Sequence, residues 1–157
     1  MLCAIEHLHS NLIIYRDLKP EHVMLDNEGH CKLVDFGFAK RFRQSDVTKN
    51  QMRTFTNCGT PDYIAPEVLR GIGTGFEADI WSLGVLICEI ISGRTPFHND
   101  NPQQIYDNVI NCKARYAPSV SGLVRSLLQT IFVQDPGFRA TLDQIKKHSV
   151  FKRVNWE

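Results

Sequence analysis

No two cysteines in this chain stand at CxxC spacing, and the five present, Cys3, Cys31, Cys58, Cys88 and Cys112, are odd in number and scattered. That pattern argues against a zinc site and against a disulfide framework. Charge of one sign is not in excess either. Eighteen Lys and Arg against 17 Asp and Glu leave +1 at neutral pH, a balance that favours neither nucleic acid nor an anionic membrane surface as partner. Long hydrophobic runs are missing. The longest, Leu83 to Ile91, is interrupted by Gly84 and Glu89 and is too short to span a bilayer. The first residues, Met-Leu-Cys-Ala-Ile-Glu-His-Leu-His, lack the basic start and apolar core of a secretory signal. Internal repeats and low-complexity tracts are also lacking. The expectation is an intracellular chain, cytoplasmic or also nuclear.

What is present suffices for one domain. The 157 residues are 43% hydrophobic and 22% charged, and a chain of this size can bury roughly 70% of its unfolded surface. Leu2, Ile5 and Leu8 recur at helical spacing between Met1 and Ser10. Val23-Met24-Leu25 and Lys32-Leu33-Val34 read as short strands joined by the turn Asp26-Asn27-Glu28-Gly29. Lys40 to Asn57 is polar and aperiodic, so a mobile loop is expected there. Phe76 to Ser92 is apolar on nearly every side, the mark of a buried central helix, with Gly93 as its C-cap. Asn101-Pro102 opens the next helix. Leu123, Val124, Leu127, Leu128, Ile131 and Phe132 form one stripe on a third. Thr141-x-x-Gln144 is a capping-box pattern before a last short helix. The expected fold is mainly α, with a small β-hairpin beside the chemistry.

That chemistry is concentrated in Tyr15-Arg16-Asp17-Leu18-Lys19-Pro20-Glu21-His22 and, one hairpin later, Asp35-Phe36-Gly37. The first stretch holds an acid, cations and a polar side chain within one loop. The second holds a lone carboxylate followed by glycine. Phosphoryl transfer needs a carboxylate to orient the attacking hydroxyl, a lysine to hold the moving phosphate and a further carboxylate for magnesium. Taken alone, Asp17 could equally be a turn-capping aspartate and Lys19 a solvated surface lysine.

With Ala65-Pro66-Glu67, the three motifs resemble in order and spacing the catalytic loop, metal-binding triplet and activation-segment end of eukaryotic protein kinases. The resemblance covers essentially the whole chain. Tyr15, the run Lys32 to Lys40, Gln104-Ile105-Tyr106 and Lys147-His148-x-x-Phe151 with Asn155-Trp156 look most like the AGC group, in particular the cAMP- and cGMP-dependent kinases. The match is divergent. A glycine-containing insertion expected after Arg139 is absent, and the loop at Gln44 to Asn50 looks several residues longer than usual.

The resemblance implies a partial kinase domain over residues 1–157, the large C-terminal lobe, with an activation segment over 35–67. It implies phosphoryl transfer from ATP to serine or threonine of proteins. Asp17 would be the catalytic base, Lys19 the phosphate-holding cation, Thr60 the residue bonding both, and Asp35 the magnesium ligand. His22 stands where the family has an asparagine that helps hold a second magnesium. Imidazole suits magnesium badly, so weaker magnesium dependence, a preference for manganese, or loss of activity is expected.

Thr56 resembles the activation-loop phosphorylation site, with Arg16 and Lys40 as its phosphate-binding cations. An unmodified loop threonine is the plainer alternative. Glu21, Asp62 and Glu89 match acids that read basic residues before the phosphoacceptor, or are three solvated acids; Asn57 replaces an apolar residue that receives a hydrophobic side chain after it. Glu67 pairs with Arg139, and Asp79 bonds the catalytic-loop backbone, by the same resemblance. Expected partners are basic protein substrates and a cyclic-nucleotide-binding regulatory subunit. The Gly-rich phosphate loop, strand lysine and helix glutamate of the small N-terminal lobe do not occur in the sequence. The 157 residues alone are therefore expected to be inactive, and a truncated or pseudokinase binding module is the second reading.

Overall fold

The computed structural model describes residues 1–48, 52–56 and 59–156. Helix α1 spans Leu2–Ser10 and turns Leu2 and Ile5 into the interior. The chain then reverses at Leu12 (φ 60°) into strand β1, Ile13–Ile14. Strands β2, Val23–Leu25, and β3, Cys31–Leu33, pair antiparallel with Val23 opposite Leu33. Their turn is built by Asp26, whose Oδ1 accepts the backbone N–H of Glu28 and His30, and by Gly29 at φ 83°. Strand β4, Lys40–Arg41, returns to pair antiparallel with β1. The two ribbons bracket the two chemical motifs. Residues 15–22 connect β1 to β2, and residues 34–39 connect β3 to β4.

The expected mobile loop over Lys40 to Asn57 is not what forms in its described part. After β4, Phe42 is buried against Phe76, with ring centroids 5.5 Å apart, and its N–H donates to the Leu12 carbonyl. Helix α2 follows over Gln44–Thr48; the Asp46 carboxylate accepts the Arg43 N–H at 2.7 Å and so starts it. One aromatic between charged neighbours gives no periodicity, which is why sequence pattern misses this segment. The last residues of the expected insertion, Lys49 and Asn50, lie outside the described residues, as does Asn57.

Helix α3 covers Pro66–Leu69, and α4 covers Glu77–Ser92 and ends at Gly93 in the left-handed conformation (φ 73°). Ten of the sixteen residues of α4 are buried, so this helix is the axis of the core. Helices α5, Pro102–Ile110, and α6, Gly122–Ile131, begin at Asn101 and Ser121, whose side chains accept N–H groups of the first turn. Helix α7, Leu142–Lys146, carries the full capping box of Thr141 and Gln144. Trp81 of α4 stacks on Phe97 (5.1 Å) and meets Phe132 edge-on (5.0 Å). Gly84 lets α6 come close, since a Cβ there would stand 2.6 Å from an Ile131 methyl. Leu123 is a correction to the expected stripe. It is more than half exposed, because the buried arc of α6 is set by Leu127, Leu128 and Ile131.

Candidate active site

The site is aimed by a carboxylate that takes no part in it. Asp79, fully buried in the first turn of α4, accepts the N–H groups of Tyr15 and Arg16, each at 2.8 Å. Its Oδ2 also lies 2.8 Å from His9 Nε2. Arg16 sits at φ 73°, a region that costs a non-glycine residue about 1–3 kcal/mol. Two charge-assisted hydrogen bonds offset that strain and fix the direction in which Asp17 leaves the backbone.

Asp17 is 5% exposed. Its Oδ2 lies 3.0 Å from Lys19 Nζ, and its Oδ1 accepts the Thr60 hydroxyl at 3.1 Å. Lys19 Nζ also donates to Thr60 Oγ1 at 3.2 Å, closing a triangle. Residues from the loop after β1 and Thr60, ahead of α3, thus meet around one carboxylate. A lysine on a flexible stem is held in one place by two oxygens.

His22 lies between the two aspartates. Its Nδ1 is 2.9 Å from the Asp17 carbonyl oxygen and 3.1 Å from the Tyr15 hydroxyl, and its Nε2 is 3.5 Å from Asp35 Oδ2. A carbonyl only accepts, so Nδ1 carries the hydrogen and Nε2 turns towards Asp35. The Tyr15 hydroxyl itself donates to the Val34 carbonyl at 2.5 Å. Burial, then the charges of Asp17, Asp35 and Asp79, push that phenol well above its ordinary pKa, so it stays a donor. Asp35 is the exposed member, at 61%, with φ 58°; its Oδ1 accepts the Gly37 N–H at 3.0 Å, while its Oδ2 faces His22 Nε2 at 3.5 Å and accepts no hydrogen bond among the described residues.

The residues expected around a phosphorylated threonine are not gathered. Arg16 Nε donates to the Phe38 carbonyl at 2.6 Å, while its Nη1 is buried without a partner among the described residues. Lys40 is exposed on β4, with Nζ 5.7 Å from the Phe42 ring centre. Thr56 is exposed, and among the described residues its hydroxyl bonds neither cation. Just before it, Thr54 exchanges both backbone hydrogen bonds with Thr74.

Glu21, Asp62 and Glu89 are brought to one neighbourhood by a residue the sequence reading did not single out. The buried Tyr63 hydroxyl donates to Glu89, and burial, Glu89, Glu21 and Asp62, in that order, push the phenol far above its usual range. A tyrosine after a Pro-Asp turn carries no distinguishing signal in sequence. Asp62 Oδ1 accepts the Thr95 hydroxyl at 3.1 Å. Behind these groups, Arg139 clamps Glu67 through both nitrogens, at 2.7 and 2.8 Å. It also donates to the Glu77 and Val133 carbonyls and lies 5.1 Å over the Trp81 ring.

The protein kinase domain family is matched over residues 1–151. The chain is 43% identical over 162 residues to the cAMP-dependent protein kinase catalytic subunit PRKX of Mus musculus, covering 100% of this chain and 43% of that protein. It is 43% identical over 159 residues to cAMP-dependent protein kinase type 3 of Saccharomyces cerevisiae, covering 98% and 38% respectively. A RAC family serine/threonine-protein kinase homolog of Dictyostelium discoideum is 42% identical over 158 residues, covering 100% and 35%. The chain therefore spans less than half the length of these curated relatives.

Proposed function

The chain belongs to the protein kinase family, and on that premise we propose that it supplies the large lobe of a serine/threonine kinase of the cAMP-dependent type. The observation that carries the reading is the Asp17, Lys19, Thr60 triangle. In the proposed reaction the substrate hydroxyl gives its proton to Asp17 as its oxygen bonds the γ-phosphorus of ATP and the bond to the β-phosphate oxygen breaks, releasing ADP. Lys19 holds positive charge beside the transferred group. Thr60 fixes Asp17 and Lys19 relative to each other. The acids around Tyr63 give the substrate side a negative character suited to arginine-rich peptides.

Magnesium is part of this proposal, and the donor set fits it unevenly. The exposed Oδ2 of Asp35 suits a hard divalent ion. The nitrogen of His22 does not, and suits manganese or another first-row ion better. When bound, the ion neutralises charge on the phosphates. What His22 does itself is hold the Asp17 carbonyl through Nδ1 and face Asp35 through Nε2. Phosphorylation of Thr56 belongs to the same proposal, supported by the unpartnered Arg16 Nη1. Cyclic-nucleotide-binding regulatory subunits are proposed as partners.

Met24, Leu25, Phe36 and Phe38 are exposed apolar side chains on and after the β2–β3 ribbon. They support the view that a second body covers this face. The 157 residues by themselves are expected to transfer no phosphate; measurable transfer would overturn that. Joined to a kinase small lobe, the chain should phosphorylate an arginine-rich serine peptide, and Asp17→Asn should lower kcat about a hundredfold or more. An unchanged kcat would remove Asp17 from the mechanism. The position of His22 favours a second reading, a catalytically silent module that binds regulatory subunits or substrates. No transfer with either metal, alongside intact peptide binding, would select it.

A further inference from the structure

At the C-terminal end of α4 a cavity of about 390 Å³ opens between the segment following Gly93 and the segment around Arg115. Arg94, His98 and Arg115 line it, with Asp100 as the one acid. Several arginines elsewhere in the fold are engaged. Arg139 holds Glu67, Arg125 bonds two backbone carbonyls, and Arg70 bonds the Ile110 carbonyl. Arg41, Arg43 and Arg153 are exposed and show no side-chain partner among the described residues, so what sets Arg94 and Arg115 apart is that they share one cavity. Among the described residues, neither Arg94 nor Arg115 has a hydrogen bond or ion pair through its guanidinium, although both face the same space.

The walls are anchored. The Arg115 N–H donates to the Pro96 carbonyl at 2.8 Å, tying the two segments together. Phe97, fully buried on Trp81, fixes the first segment in the core, and Ser92 Oγ donates to the Arg94 carbonyl at 2.8 Å. Asp100 lies 4.0 Å from His98 and is fully exposed, so water screens its opposing charge.

We infer that this cavity binds a phosphoryl group, carried by the same peptide that presents its basic residues to Glu21, Asp62 and Glu89. Two unengaged guanidiniums offer forked donors matched to phosphate oxygens, and a phosphomonoester brings close to two negative charges at neutral pH. The link to the substrate side is direct. Thr95, in the wall of the cavity, donates to Asp62. The assignment of the occupant to a substrate peptide rests on the proposed function; the anion site itself does not.

The test follows arginine side-chain N–H signals by NMR in the whole chain. Phosphoserine is titrated first. Saturable shifts at Arg94 and Arg115, with Arg41, Arg43 and Arg153 unmoved, are expected. Equal, unsaturated shifts at all five would overturn the site. Arg115→Ala should weaken phosphoserine about tenfold, and unchanged affinity in a variant with an unaltered melting temperature would equally overturn it. A peptide with two arginines and a phosphoserine is then compared. It should bind at least tenfold tighter than phosphoserine, and Asp62→Asn, which keeps an acceptor for Thr95, should remove that gain alone. A peptide no tighter than phosphoserine would overturn the peptide assignment and leave a free phosphoryl compound as occupant.

Discussion

Asp79 and Asp35 are the same residue type at opposite ends of one device. Asp79 is fully buried, and both of its oxygens are committed to donors from α1 and the loop after β1. Asp35 is mostly exposed, held at φ 58°, and among the described residues its Oδ2 accepts no hydrogen bond, with only His22 Nε2 facing it at 3.5 Å. The same division separates the interior around α4 from the rim formed by the two ribbons. Inside, charge is placed where removing one partner strands the other. At the rim, charge is left unfinished, as a reacting group or ligand would require. For these two aspartates, burial with complete partnering goes with frame, and exposure with a spare oxygen goes with a ligand. Asp17, buried and bonded to Lys19 and Thr60 yet proposed as the base, shows that burial alone does not sort the two.

The sharpest way to break the comparison is at Glu67 and Arg139. Arg139→Ala leaves a buried carboxylate without its clamp and should cost about 3–5 kcal/mol in urea unfolding. A loss under 1 kcal/mol would mean the pair is not frame. Phe42→Ala comes next, at about 3 kcal/mol, since it empties the contact that fixes β4 against Phe76. A neutral result would restore a loose loop there. Asp35→Ala should change stability by no more than about 0.5 kcal/mol while abolishing nucleotide-dependent metal binding; a large unfolding shift would place Asp35 with the frame. His22→Asn should raise the ratio of magnesium- to manganese-supported transfer in the chain joined to a small lobe. An unmoved ratio would deny the imidazole any part in metal choice.

The smallest effect is expected at Asp26. The His30 N–H, then Lys32, hold its carboxyl below the ordinary carboxylate pKa. A depressed folded pKa contributes stability above the unfolded pKa and loses it as pH falls through the folded value. Carbon NMR should therefore show Asp26 titrating below the ordinary aspartate range. An ordinary titration would loosen the β2–β3 turn.

Much of the frame is legible in the sequence because it is local. Asn101-Pro102 and Thr141-x-x-Gln144 announce helix starts through hydrogen bonds spanning two or three residues, and each is present. The apolar run Phe76 to Ser92 announces α4 through composition alone. The stretches 15–22 and 35–37 are legible as motifs resembling the family that is matched over residues 1–151. The β1–β4 ribbon is not, since two-residue strands carry no periodicity. Tyr63 beside three acids is not legible either, because its partners come from residues 21, 62 and 89.

By itself, then, the sequence determined where α5 and α7 start and where α4 ends, which helix forms the centre, and which short stretches hold the chemical groups. Those are decisions of hydrogen bonds and hydrophobic spacing within a few residues. Only the tertiary structure decided that His22 turns Nε2 to Asp35, that Tyr63 meets Glu89, and that two arginines from separate segments share one cavity. Such geometry follows from how the buried faces of α4 and α6 dock and from where Asp79 pins the loop. No local stretch contains that information, because the energy that fixes it is released only when distant surfaces meet.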